Sequence, residues 1–146
     1  MAAKLYKHFL LATDLSTHSL HIAKRAATLA KAMKAKLSVI HVLGNSPIAY
    51  AGEFSIPIDV EFEMRLQKQA EKQLEKLCSK IKISKKSQFI ANGSVKTAVT
   101  GFAKKIKADL IVLGTHGHEG LNLLLGSQAN AILNAAACDV WIVRIK

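Results

Sequence analysis

Short, unbroken apolar runs alternate along this chain with longer segments of helical period, and that alternation restricts the fold more than any other feature. His8 to Thr13 is the first run, with no polar residue between Phe9 and Ala12. A strand with one wet face alternates polar and apolar residues, so an uninterrupted run implies burial on both faces. Lys36 to Val42, Ser87 to Ala91, Asp109 to Leu113 and Val140 to Ile145 read as four further strands. Between them, Ile22, Ala26, Leu29 and Met33 step by four, three and four, as one face of a helix does. Ser16 or Thr17 is placed to cap that helix.

A second helix opens at Asp59, with Glu61 and Glu63 in its first turn, where the helix dipole favours negative charge. Phe62, Leu66, Ala70, Leu74, Leu77 and Ile81 form its expected apolar stripe. Ser94 caps a third helix with Val95, Val99, Phe102 and Ile106 inward, after the turn pair Asn92-Gly93. A short fourth helix runs through Ile132 and Leu133. The stretch 46–58 holds both prolines and no period, and reads as a long loop. Five strands with intervening helices imply parallel pairing by right-handed crossovers, hence an α/β three-layer sandwich with helices on both faces. The 146 residues are expected to form a single domain, residues 1–146, with no internal repeat.

Parallel sheets bind ligands beyond the carboxyl ends of their strands, where strand order reverses. That directs attention to the residues after the first and fourth strands. After the fourth come Gly114-x-x-Gly117 and then Gly126-Ser127 opening a helix. Glycine lets the backbone approach a bulky anion, and a helix N-terminus offers free N–H groups, so this is a possible polyphosphate cradle. It is neither a P-loop nor a Gly-x-Gly-x-x-Gly motif. After the first strand, Asp14 is placed either to accept a hydrogen bond from an adenine amino group or ribose hydroxyl, or to cap the following helix.

Tyr6-Lys7-His8-Phe9-Leu10-Leu11-Ala12-Thr13-Asp14-Leu15-Ser16, Leu37 to Val42, Ala108 to Gly117, and Gly126-Ser127 through Cys138 to Arg144 together resemble the universal stress protein family. The resemblance covers essentially the whole chain. It implies an adenine nucleotide alpha hydrolase-like fold with strand order 3-2-1-4-5, and a homodimer in which the C-terminal strands meet. It also implies a cytoplasmic stress-response protein that binds ATP, with or without Mg²⁺, through Gly-x2-Gly-x9-Gly-Ser/Thr. On that pattern Asp14 and the backbone of Val42 hold adenine, and Gly114 lies by the ribose. Gly117, Gly126, Ser127 and the amide of Gln128 hold phosphate. Here only eight residues separate Gly117 from Gly126, and Ala12 stands where binders often have proline. The shortened spacer favours the alternative, a dimeric interaction module of the same family without nucleotide.

No side chain supplies a Walker-type lysine or clear catalytic base, so at most slow ATP hydrolysis is expected and no catalytic residue is assigned. His116, His118 and Glu119 lack a third strong ligand, and no metal site is assigned. Cys78 and Cys138 read as reduced thiols of an intracellular protein. No signal peptide or membrane-spanning run is visible, and no membrane partner is expected. The net charge is +11, and the lysines fall mostly between apolar helix positions, so they read as solvated faces. With aromatic content at 5%, no basic–aromatic stacking segment forms, which argues against a nucleic-acid partner.

Overall fold

The computed structural model describes residues 5–44, 60–115 and 126–145. Five strands form one parallel sheet: β1 (His8–Ala12), β2 (Lys36–Leu43), β3 (Gln88–Asn92), β4 (Leu110–Gly114) and β5 (Asp139–Val143). Their order is β3-β2-β1-β4-β5, as expected. Four helices connect them: α1 (Ser19–Ala32), α2 (Val60–Lys80), α3 (Val95–Ile106) and α4 (Ser127–Ala135). Strand order reverses at β1, whose neighbours are β2 on one side and β4 on the other.

The two faces of the sheet carry separate cores. Phe9, Leu11, Val39, Leu110 and Val112 pack beneath α1 and α2, together with Ala23, Ala26, Leu74 and Cys78. Leu10, Ile40, Ile111 and Leu113 pack against α3 and α4 through Val99, Ala103, Ala129 and Ile132. Consecutive residues of β1 therefore serve opposite cores, and Phe9, Leu10 and Leu11 are all fully buried. This is why the strand contains no polar position. The start of β1 is fixed by Asp109, whose two carboxylate oxygens accept the backbone N–H groups of Lys7 and His8 at 2.8 and 3.0 Å.

Two local expectations change. α1 begins at Ser19 rather than beside Ser16 or Thr17, with His18 at its N-cap and no side-chain cap. The Ser16 hydroxyl instead accepts the His18 N–H at 3.3 Å, which spends it on the turn before the helix. In α2 the predicted stripe is buried at Ala70, Leu74 and Leu77, whereas Phe62 and Leu66 are 47% and 42% exposed and Ile81, just past the helix, is half-buried. By contrast, Ser94 caps α3 as expected, accepting the Thr97 N–H at 3.4 Å. Gly93 follows β3 at φ +111°, a left-handed region that suits glycine. Asp59 and the predicted loop 46–58 lie outside the described residues.

Cys78 is fully buried and Cys138 half-buried, both as free thiols. Burial pushes the Cys78 thiol up to about 11, against an ordinary 9.0. Only the thiolate reacts, so in native protein at pH 8 an aromatic disulfide reagent should leave Cys78 unmodified, and denaturant should release it. The stability owed to the neutral buried thiol is fully present below pH 9 and is lost as pH rises through about 11.

Candidate ligand cavity at the carboxyl ends of the strands

A cavity of about 500 Å³ opens at the carboxyl ends of β1, β2 and β4. Its apolar walls come from strand ends and helix faces, among them Ile22, Ile40, Val42, Val99, Leu113 and Ile132. Its polar groups lie at three places, one of them His41 on β2. The β1–α1 turn supplies Thr13 and Asp14, and the start of α4 supplies Gly126, Ser127 and Gln128. An apolar slot with few convergent polar groups is the usual form of a small-molecule site.

The turn after β1 is braced by a short hydrogen-bond chain. The Leu15 N–H donates to Thr13 Oγ1 at 3.1 Å, and the Thr13 hydroxyl donates to Ser19 Oγ at 3.1 Å. The Ser19 hydroxyl then donates to Asp14 Oδ1 at 3.3 Å, and Oδ1 also accepts the Ser16 N–H at 2.9 Å. Leu15 sits at φ +57°, a left-handed conformation costly for a branched side chain, and this chain of bonds holds it there. Asp14 thus builds a turn and does not cap α1. Its Oδ2 has no hydrogen bond among the described residues and remains available as an acceptor on an exposed carboxylate.

His41 closes the brace from β2, its Nδ1 lying 2.8 Å from the Thr13 carbonyl. A carbonyl oxygen only accepts, so Nδ1 is the donor in this bond. Ser19 is 5% exposed, and its hydroxyl serves both Thr13 and Asp14. Replacing it with alanine leaves the half-buried Thr13 hydroxyl without that acceptor and removes a donor to Asp14. Ser19→Ala should lower stability by about 1–2 kcal/mol in urea titrations, with the fold retained.

At the other side, α4 starts with no side-chain cap. The Gly126 N–H donates to the Thr115 carbonyl at 2.7 Å, and the Gly126 carbonyl accepts the Asn130 N–H at 3.0 Å. The first-turn N–H groups of Ser127, Gln128 and Ala129 are left without partners among the described residues, beside the positive end of the helix dipole. Thr115 also holds the end of the sheet: its N–H reaches the Val143 carbonyl at 3.1 Å, and its hydroxyl accepts the Ile145 N–H at 3.2 Å. Gly114 has a packing reason for its identity. A Cβ there would come within 2.5 Å of Ile22 Cδ1 and 2.8 Å of Ile145 Cδ1.

Of the residues that the sequence points to, Asp14, Val42, Gly114, Gly126, Ser127 and Gln128 line this one cavity. Gly117, with His116, His118 and Glu119, lies outside the described residues. Thr13, Ser19 and His41 do not stand out in the sequence as site residues. Their parts depend on contacts between β1, α1 and β2, and no spacing motif marks them.

A five-stranded parallel sheet in this order, with its cavity at the strand carboxyl ends beside the reversal at β1, defines an α/β protein of the adenine nucleotide alpha hydrolase-like fold. The model of the universal stress protein family matches residues 5–144, and the chain belongs to that family. It is 50% identical over 141 residues to universal stress protein A homolog 1 of Coxiella burnetii, covering 97% of this chain and 98% of that one. Among solved structures, universal stress protein UspA from Lactobacillus plantarum superposes with a TM-score of 0.81 at 23% identity, covering 98% of this chain and all of that one. A universal stress protein crystallised in complex with cAMP superposes with a TM-score of 0.70 at 22% identity, covering 95% and 97%. No helix among the described residues is long and apolar enough to cross a membrane.

Proposed function

We propose that this chain binds an adenine nucleotide, ATP in the first instance, in the cavity at the strand carboxyl ends and acts as a stress-response regulator. The observation that carries this reading is the convergence of a free carboxylate oxygen on Asp14 and the uncapped start of α4 on one apolar slot. The carboxylate accepts the adenine amino group or a ribose hydroxyl, and the apolar walls cover the base. The amides of Ser127 and Gln128, with the Ser127 hydroxyl, receive phosphate at the positive end of α4. The relative in complex with cAMP supports an adenine nucleotide as the ligand class. Mg²⁺, if it accompanies ATP, is held by the phosphates, since the described residues form no group of three metal-ligating side chains. ATP then works as a ligand that stabilises one state by mass action, with turnover slow at most.

Calorimetric titration with ATP and Mg²⁺ tests the reading directly. Saturable one-site binding that Asp14→Ala weakens at least tenfold is the expected result. A folded protein that takes up no adenine nucleotide would overturn it and leave the nucleotide-free interaction module, to which the eight-residue spacer between Gly117 and Gly126 points.

We also propose a homodimer through β5. This strand is an edge of the sheet, and Val140, Trp141 and Ile142 are only partly buried in the single chain. An apolar edge strand is a template for pairing with a second copy. Sedimentation velocity at micromolar concentration should give twice the monomer mass, and a monomer across that range would exclude the pairing.

A further inference from the structure

In a parallel ladder a residue turns its N–H and its C=O to the same neighbouring strand, and the next residue turns both to the opposite one. The Thr13 N–H donates to the Ile40 carbonyl at 2.9 Å, so Ile40 faces β1. Leu43 faces the other way, its carbonyl accepting the Gly93 N–H at 3.0 Å just past β3. Val42 lies between these two directions in the alternation and therefore turns its N–H and C=O toward the β1 side. The next bond of the β1–β2 ladder would run from the Val42 N–H to the Thr13 carbonyl.

That bond is not made. The pairing of β1 with β2 ends at Ala12 opposite Ile40. The Thr13 carbonyl instead accepts the His41 Nδ1–H at 2.8 Å. A side chain of β2 thus takes the place of that strand's own backbone, and the Val42 N–H is left without a hydrogen bond among the described residues. Val42 is half-buried and lines the cavity. Backbone N–H groups drawn away from water are nearly always paired, so an open one beside a cavity calls for a partner from outside the chain.

We propose that His41 is a positioning residue for the bound ligand: by occupying the Thr13 carbonyl it keeps the Val42 N–H open as a donor to the base of the nucleotide. The identity of the ligand rests on the nucleotide reading above; the open amide does not. The same contact fixes the peptide that leads into Asp14, so one imidazole sets polar groups on both strands that border the slot. The Thr13 hydroxyl is engaged separately, accepting the Leu15 N–H and donating to Ser19 Oγ. It therefore cannot stand in for His41 at the carbonyl. Asparagine can stand in, because its side-chain nitrogen is as many bonds from Cβ as the Nδ1 of histidine. Leucine has the bulk and no donor.

Amide hydrogen exchange, followed by NMR on protein with isotope-labelled valine, tests the open amide without any ligand. The Val42 amide should exchange at least about a hundredfold faster than that of Val112, which is fully buried in β4 between β1 and β5. His41→Leu should let the Val42 N–H close on the Thr13 carbonyl and slow its exchange about tenfold. In calorimetric titration with ATP and Mg²⁺ the leucine variant should bind about tenfold more weakly. Its melting temperature should be unchanged or higher, because a ladder bond replaces the imidazole contact. His41→Asn should bind within about threefold of the unmodified protein, since it keeps the donor. A Val42 amide as slow as that of Val112 in the ligand-free protein would overturn the proposal. So would full affinity in His41→Leu, equal losses in the two variants, or a leucine variant that loses melting temperature together with affinity. If the unmodified protein takes up no ATP, the nucleotide reading falls, and the exchange of Val42 in the two ligand-free proteins decides whether His41 holds the amide open.

Discussion

Ser127→Pro should abolish most nucleotide binding while leaving the melting temperature within a few degrees. The geometry of the α4 start accommodates the substitution. Ser127 is the first helical residue, where proline is favoured because its missing N–H has no partner within the helix. The residue before a proline must be extended, and Gly126 already is, at φ −62° and ψ 156°. The helix should therefore form unchanged. What disappears is one amide and one hydroxyl at the positive end of the dipole, where phosphate is proposed to lie. Hydrogen bonds to a charged group contribute about 1.5–3 kcal/mol each, so losing even one weakens binding roughly ten- to a hundredfold. Ser127→Ala, which keeps the amide, should show a smaller loss in the same titration. Unaltered affinity in the proline variant would mean that α4 does not hold the ligand.

The strands are legible because the chain has to bury them on both faces. Leu10 and Leu11 face opposite cores and both are fully buried, so no polar residue could interrupt the run. Strand order is not readable from periodicity; it comes from the resemblance to the family, and the sheet bears it out. The second helix shows where periodicity stops being informative. Its 21 residues make a rod of about 31 Å, whereas a five-residue strand such as β3 spans about 17 Å. The helix is longer than the strand, and the apolar residues near its start, Phe62 and Leu66, continue the stripe while staying more than 40% exposed.

The site divides along a similar line. Residues that act through backbone or through a motif, such as Gly126, Ser127 and Gln128, can be located from spacing, and they line one cavity with Asp14. Residues that act by bracing others cannot. Ser16 and Asp14 both look like helix caps, because short oxygen-bearing side chains before a helix usually are. The structure uses them one turn earlier, with Asp14 accepting the Ser16 N–H and Ser16 accepting that of His18. The later start of α1 leaves Oδ2 of Asp14 unengaged among the described residues. His41 reads in the sequence as a core or surface residue, and its bond to the Thr13 carbonyl joins strands distant in sequence.

Phe9→Ala should lower stability by about 3–5 kcal/mol in urea titrations with m unchanged, a larger loss than that of Ser19→Ala. Phe9 is fully buried on β1, between Leu37 of β2 and Leu110 of β4, with the Tyr6 ring edge-on at 6.0 Å between centroids. A domain of this size is typically stable by about 5–15 kcal/mol, so the loss takes a large share and should lower melting by roughly 6–20 °C. Leu133→Ala, on a side chain 43% exposed, should cost under ~1 kcal/mol. Because β1 leads directly into Thr13 and Asp14, the weakened variant also reports on the cavity. A ligand that binds only the folded state adds stability by mass action, about 2.7 kcal/mol at a hundred times its dissociation constant. ATP at that concentration should restore much of the melting temperature lost by Phe9→Ala, and should fail to do so when Ser127→Pro is added. Rescue in both backgrounds would place the nucleotide elsewhere on the protein, and rescue in neither would mean that the folded state does not bind it.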